Sequence, residues 1–164
     1  MTPRNIAVAP DTRPAMHEAM CRAVEAGGGT VASPSEAEGL VWADPARPDR
    51  FPEVVAEARR LEWIQLPYAG IEPFVHHLDP RWTWTCGKGV YAPAVAETVM
   101  AQVLALCKNL HEYGRANTWE GPVGRVLAGS RVTVLGGGGI TRCLLPLLAP
   151  FGCDVTVVRR TEES

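Results

Sequence analysis

Arg131-Val-Thr-Val-Leu-Gly-Gly-Gly-Gly-Ile-Thr141, followed by Asp154-Val-Thr-Val-Val-Arg-Arg160, is the stretch on which the fold turns. Two runs of alternating β-branched residues bracket four glycines and an apolar segment from Ile140 to Phe151. Each run reads as a strand and the segment between them as a helix. The interval is long enough for a crossover, so the stretch predicts a β-α-β unit with parallel strands. Pro146 lies inside the expected helix, where an interior proline costs about 3 kcal/mol. Either the helix kinks there or packing offsets the loss.

The glycines give the unit a chemical reading. In a G-x-G-x-x-G loop the first glycine turns the chain out of the strand and the second lets backbone approach a pyrophosphate. The third lets helix and strand pack closely, and the helix N-terminus offers N–H groups to the phosphates. Gly136, Gly138 and Gly139 with Ile140 fit that pattern, whereas Thr141 stands where the third glycine belongs. A β-branched residue there is expected to push helix and strand slightly apart. A flexible glycine linker is the plainer alternative. The absence of Gly-Lys-Ser/Thr excludes a nucleoside-triphosphate P-loop. At the end of the second strand, where an acid would hydrogen-bond ribose hydroxyls, stand Arg159 and Arg160. A guanidinium cannot accept those protons but can hold a 2′-phosphate, which predicts NADP in preference to NAD. Two solvated surface arginines would look the same in sequence.

Outward from this unit, the first half alternates strands and helices. Asn5–Ala9, Thr30–Ala32, Leu40–Ala43, Glu62–Leu66 and Trp82–Cys86 read as strands, and Pro14–Ala26 and Phe51–Arg60 as helices. Alternation of this kind implies a parallel sheet covered on both faces. Pro93–Ala116 reads as one long helix whose apolar stripe is wider than a single contact needs. It is either a core helix or one shared between domains or subunits. The expected division is residues 1–91, 92–128 (helix and loop) and 129–164.

The chain has 164 residues, 46% hydrophobic and 21% charged, a composition outside the disordered class. A net charge of -2 argues against nucleic-acid binding. The apolar stretch Ala92–Cys107 is broken by Pro93, Glu97 and Gln102, so no membrane span is expected. Met1–Pro10 lacks the apolar run of a signal peptide, and a cytoplasmic location is the default expectation. Five cysteines without a C-x-x-C pair read as reduced thiols, with no metal site. His76, His77 and His111 have no carboxylate at a telling spacing and read as surface or helix-end residues. The turn Tyr68-Ala-Gly70 leaves a strand with small residues, so its N–H groups could face an anion; an ordinary strand-to-helix turn is the alternative.

Several segments together resemble the D-isomer-specific 2-hydroxyacid dehydrogenase family. They are Leu61-Glu-Trp-Ile-Gln-Leu-Pro-Tyr-Ala-Gly-Ile71, Val95-Ala-Glu-Thr-Val-Met100, Trp119, and the unit from Leu127 to Val158. The resemblance implies an α/β protein: a flavodoxin-like parallel-sheet substrate domain, a long linking helix, and an incomplete Rossmann β-α-β unit. It implies that Tyr68, Ala69 and Gly70 line the substrate-carboxylate loop and that Gly139 and Ile140 lie on the cofactor pyrophosphate. Arg159 would replace the ribose-binding acid, and Arg160 falls where NADP-using members carry an arginine. The family's catalytic Arg and its His–Glu pair come downstream of the second strand of this unit, so no catalytic residue is assigned here. The resemblance therefore implies a truncated member, inactive alone, whose parent acts on a small 2-oxo or 2-hydroxy acid. The excess apolar surface of the long helix and of the unfinished nucleotide unit predicts a homodimer through that helix. A non-catalytic binding or assembly module is the alternative of a different class, and a flavodoxin-like domain with an oligomerising tail is a third.

Overall fold

The computed structural model describes residues 4–119 and 121–160; the outer ends of the expected division, 1–3 and 161–164, lie outside the described residues. The chain divides into two compact units, Met1–Lys88 and Gly89–Ser164.

The first unit is an α/β layer structure. Its strands are β1 (Asn5–Ala9), β2 (Thr30–Val31), β3 (Gly39–Trp42), β4 (Trp63–Leu66) and β5 (Thr83–Cys86), with helices α1 (Pro14–Ala26) and α2 (Phe51–Glu57). All pairs are parallel and the order is β2-β1-β3-β4-β5, the flavodoxin-like arrangement. Alternation along the strands divides the sheet into two unlike faces. Leu40, Trp42, Ile64 and Leu66 are buried on one, against Phe51 and Phe74. Rings meet edge-on or tilted there, with Trp42 5.4 Å from Phe51 and Trp84 5.5 Å from Phe51.

On the other face α1 covers only one side of the sheet. Its inward positions are Met16, His17, Met20, Cys21 and Val24, all half-buried, whereas Ala19 and Ala23 of the expected stripe are exposed. Beyond α1, the face carries a hydrogen-bonded polar ladder. The Trp63 indole donates to the Thr85 hydroxyl at 2.8 Å, and that hydroxyl lies 2.7 Å from the Gln65 side-chain oxygen. The expected covering of both faces is thus met on one face and only partly on the other.

The second unit contains α3 (Ala92–Cys107), α4 (Leu110–Tyr113), β6 (Arg131–Leu135), α5 (Gly139–Leu148) and β7 (Asp154–Val158). β6 and β7 pair in parallel from Arg131↔Asp154 to Leu135↔Val158. Val132, Val134 and Val155 face α5 and α3, in a core with Met100, Leu127, Leu144 and Leu148. The opposite face carries Thr133, Leu135, Thr156 and Val158, all exposed.

The single helix expected over Pro93–Ala116 is instead two. Asn109 adopts the left-handed conformation (φ 50) and breaks it, a conformation asparagine tolerates better than most residues. The cause is tertiary. The returning chain donates its Arg125 N–H to the Cys107 carbonyl at 2.7 Å, taking an acceptor that a continuing helix would have used. The Asn109 side chain donates to the Val123 carbonyl, and Gly124 approaches so closely that a Cβ there would lie 2.9 Å from the Lys108 Cα. Pro146, by contrast, does not end α5: it is exposed, while Thr141, Leu144 and Leu148 are buried on the opposite side of the helix. Burial along that stripe offsets the lost backbone bond.

Phe51 is 2% exposed and touches Trp42, Phe74, Trp82 and Trp84. Phe51→Ala is expected to destabilise the first unit by about 3–5 kcal/mol, read from urea unfolding followed by tryptophan fluorescence.

Candidate functional site

The glycine loop is built by the end of the β6–β7 ladder. One step beyond the last paired residues, the Gly136 N–H donates to the Val158 carbonyl at 2.7 Å. Gly136 then turns the chain at φ 101, a conformation that demands glycine. Gly138 is the N-cap of α5, with φ -81 and ψ -169. Serine or aspartate in that place would cap the helix with its own oxygen; glycine leaves the first turn of α5 without a side-chain cap.

Neither packing nor conformation within the chain requires glycine at 138 or 139. Among the described residues, a Cβ on Gly138 would meet nothing within 4 Å, and one on Gly139 only the Ala92 Cβ at 3.6 Å, ordinary contact. The space above Gly138 is open at a helix N-terminus, where anions are favoured. This is an ordered loop between strand and helix, not a linker.

Thr141 does not simply wedge helix from strand. It is 8% exposed, and its hydroxyl donates to the Gly136 carbonyl at 2.7 Å. The residue in the third-glycine place thus clasps the loop shut across five positions. Its β-branching is visible in sequence, but the acceptor it reaches is not.

Beyond β7, the Arg159 side chain folds back over the loop, with its guanidinium against Gly137; Arg160 is exposed. Gly136, Gly138, Gly139, Ile140, Thr141 and Arg159 therefore gather at one corner of the second unit. Tyr68, Ala69 and Gly70 belong to the first unit, where they form an exposed bend at the carboxyl end of β4.

That bend is held from beneath by Gly87, which sequence reading passed over. Gly87 is buried, its N–H donates to the Tyr68 carbonyl at 3.1 Å, and a Cβ on it would sit 2.6 Å from the Pro67 carbonyl oxygen. Asp44 was missed as well. It is 4% exposed at the end of β3, where its carboxylate accepts from the Thr12 hydroxyl (2.8 Å) and the Ala46 N–H (3.0 Å). It ties the loop after β1 to the loop after β3, at the point where the strand order reverses and open parallel sheets hold ligands. The only sequence signal was an acid closing an apolar run.

Other candidates carry no chemistry. His77 lies against Phe51 with centroids 5.2 Å apart, and His111 sits 3.2 Å from Glu112 on the exposed α4. Cys21 is 3.7 Å from the His17 Nδ1, but burial, with Glu25 and Glu18, pushes its thiol up, away from the reactive thiolate. A cleft of about 590 Å³ between α1 and the sheet opens near Arg4, Gly28 and Trp63. It lies at the amino ends of the strands, opposite the ends where such sheets bind ligands. Among the described residues, no helix is long and apolar enough to cross a membrane.

No protein-family model matches the chain. Among solved structures, the chain is similar to a D-isomer specific 2-hydroxyacid dehydrogenase family protein from Aeromonas salmonicida. The TM-score is 0.74 at 22% identity, covering 98% of this chain and 56% of that one. A D-isomer specific 2-hydroxyacid dehydrogenase from Xanthobacter autotrophicus Py2, in complex with NADPH and MES, matches with TM-score 0.72 at 20% identity, covering 99% and 55%. An NAD+-bound 3-phosphoglycerate dehydrogenase of Entamoeba histolytica matches with TM-score 0.62 at 14% identity, covering 99% and 56%. At these identities the likeness establishes the fold. The chain spans about 56% of the length of the first of these structures.

Thr141→Val keeps the shape of the clasp and removes its hydroxyl. It is expected to lower the stability of the second unit by about 1 kcal/mol, whereas Thr141→Ser retains most of it; thermal unfolding of the two variants checks this.

Proposed function

We propose that the chain carries the substrate-carboxylate loop and the phosphate-holding corner of an NADP-preferring oxidoreductase. Its type is the D-isomer-specific 2-hydroxyacid dehydrogenase, interconverting a small 2-oxo acid and the matching D-2-hydroxy acid. One observation carries the reading: the open space over Gly138, the N-cap of α5, with Gly139 beside it under no packing demand and Arg159 folded alongside. A loop that keeps two glycines its own packing does not need is shaped for something outside the chain. A pyrophosphate suits such a place in charge and donor chemistry.

In this reading the N–H groups of Gly139 and Ile140 bind the pyrophosphate, and Thr141 and Gly136 hold the loop in shape. Arg159 and Arg160 supply donors where an NAD-specific site would have an acceptor, and Arg160 binds the 2′-phosphate. Tyr68, Ala69 and Gly70 present backbone donors to the substrate carboxylate, positioned by Gly87. The bound nicotinamide supplies or takes the hydride. Hydride transfer also needs a proton donor at near-attack distance, and no side chain of these 164 residues is assigned that role. We propose that this stretch binds nucleotide without turning over by itself. Exposed Val95, Leu106 and Leu110 on α3 and α4 would form part of a homodimer surface in the full assembly.

Fluorescence titration of the chain with NADPH and NADH tests the reading. Both are expected to bind, NADPH more tightly, with no turnover of glyoxylate or hydroxypyruvate. Gly138→Ser is expected to weaken binding with the unfolding midpoint retained or slightly raised by the added cap, and Arg160→Ala to reduce the preference for NADPH. Failure of both nucleotides to bind would sink the proposal in favour of an assembly module.

A further inference from the structure

Arg159 and Gly137 are brought side by side by the sheet. The ladder ends with Leu135 opposite Val158, and the Gly136 N–H to Val158 carbonyl bond carries the pairing one step further. Residues 137 and 159 are therefore neighbours just beyond the sheet edge, where the two chains diverge. There the Arg159 side chain packs tightly against the place where a side chain on residue 137 would begin. A Cβ on Gly137 would lie 3.1 Å from its Nε, 3.2 Å from its Cδ and 3.3 Å from its Cζ.

The four glycines of the loop thus answer to different demands. Gly136 is glycine for its backbone, at φ 101, and Gly138 and Gly139 face open space or ordinary contact. Gly137 is not in the left-handed region, so its own backbone accepts any residue. What it lacks room for is Arg159. The neighbour is the far half of a flexible side chain and not backbone, so a methyl group at 137 would push the guanidinium off its seat by a few tenths of an ångström without disturbing the turn.

We infer that Gly137 is a specificity-determining position: by having no side chain, it lets the Arg159 guanidinium lie against the loop and read the 2′-phosphate of the nucleotide. The inference rests on the dinucleotide reading of this unit. A carboxylate at the end of this strand accepts ribose hydroxyls and repels a 2′-phosphate. Arg159 in that place reverses both terms, because guanidinium has five donors and no acceptor. Held against the loop, it loses less freedom on meeting a phosphate than an arginine reaching in from solvent. Gly137 acts through Arg159 and is a positioning residue, not a contact.

The test compares 2′,5′-ADP with 5′-ADP, and NADPH with NADH, by calorimetry on the 164-residue chain. Four proteins are needed: the chain itself, Gly137→Ala, Arg159→Ala and the double variant. Gly137→Ala is expected to reduce the preference for the 2′-phosphorylated nucleotide about three- to tenfold, with 5′-ADP affinity and unfolding midpoint retained. Arg159→Ala is expected to reduce the preference at least as far, and Gly137→Ala to add nothing in that background. The preference should also weaken as salt is raised. An undiminished preference in Gly137→Ala, or an equal loss with and without Arg159, overturns the coupling while leaving the dinucleotide reading intact. Binding of neither nucleotide by the unaltered chain overturns that reading and this inference with it.

Discussion

The second unit depends on the bond from the Gly136 N–H to the Val158 carbonyl, 2.7 Å long. Parallel strands cannot be joined by a tight turn, so β6 must leave the sheet, cross over through α5 and return as β7. The bond fixes where that departure begins. It sets Gly136 into its left-handed turn, aims the N-terminus of α5 outward, and leaves residue 159 beside residue 137. Thr141 then closes the turn from the helix side by returning its hydroxyl to the Gly136 carbonyl. Three features of this corner follow from one extension of a ladder: a turn, a helix N-terminus and a neighbouring guanidinium.

The first unit shows the same economy of backbone in a different way. Its aromatic core lies on one face of the sheet, so the strands are anchored by Trp42, Phe51 and Phe74 and their carboxyl ends stand clear of it. The loops after those ends are stitched to each other, and the loop after β3 also to the core, where the Trp42 indole donates to the Asp44 carbonyl at 2.6 Å. Asp44 draws on Thr12, and Gly87 draws on Tyr68. Each stitch joins loops distant in sequence, which is how a rigid sheet can present a polar rim. The ladder of Trp63, Thr85 and Gln65 satisfies its own polar groups where α1 does not reach.

Most of the secondary structure was legible because it follows local rules. β1, β6, β7 and α1 lie where hydrophobic period and punctuation put them, and the fold class follows from their alternation. The misreadings have long-range causes. The helix expected to run on to Ala116 is interrupted because Arg125, far along the chain, takes the Cys107 carbonyl. No pattern within residues 93–116 records that competition. On α1, His17 and Cys21 face inward in place of Ala19 and Ala23, and His17 sits there with its Nε2 3.0 Å from the Val8 carbonyl. The partner that makes an inward histidine tolerable is again remote.

The sequence by itself determined the alternation of strands and helices, the strand–glycine–helix–strand order of the second unit, and the presence of two arginines at the end of its second strand. Those are properties of residue type and spacing, and nearest-neighbour physics is enough to read them. Only the tertiary structure decided what each residue in the loop is for. Which glycine serves the turn, which makes room for Arg159 and which faces open space depends on what lies across from it, as does the use Thr141 makes of its hydroxyl. Chains far apart in sequence meet at distances of about 3 Å only after the sheet has formed, and contacts at that range, not composition, distinguish one glycine from the next.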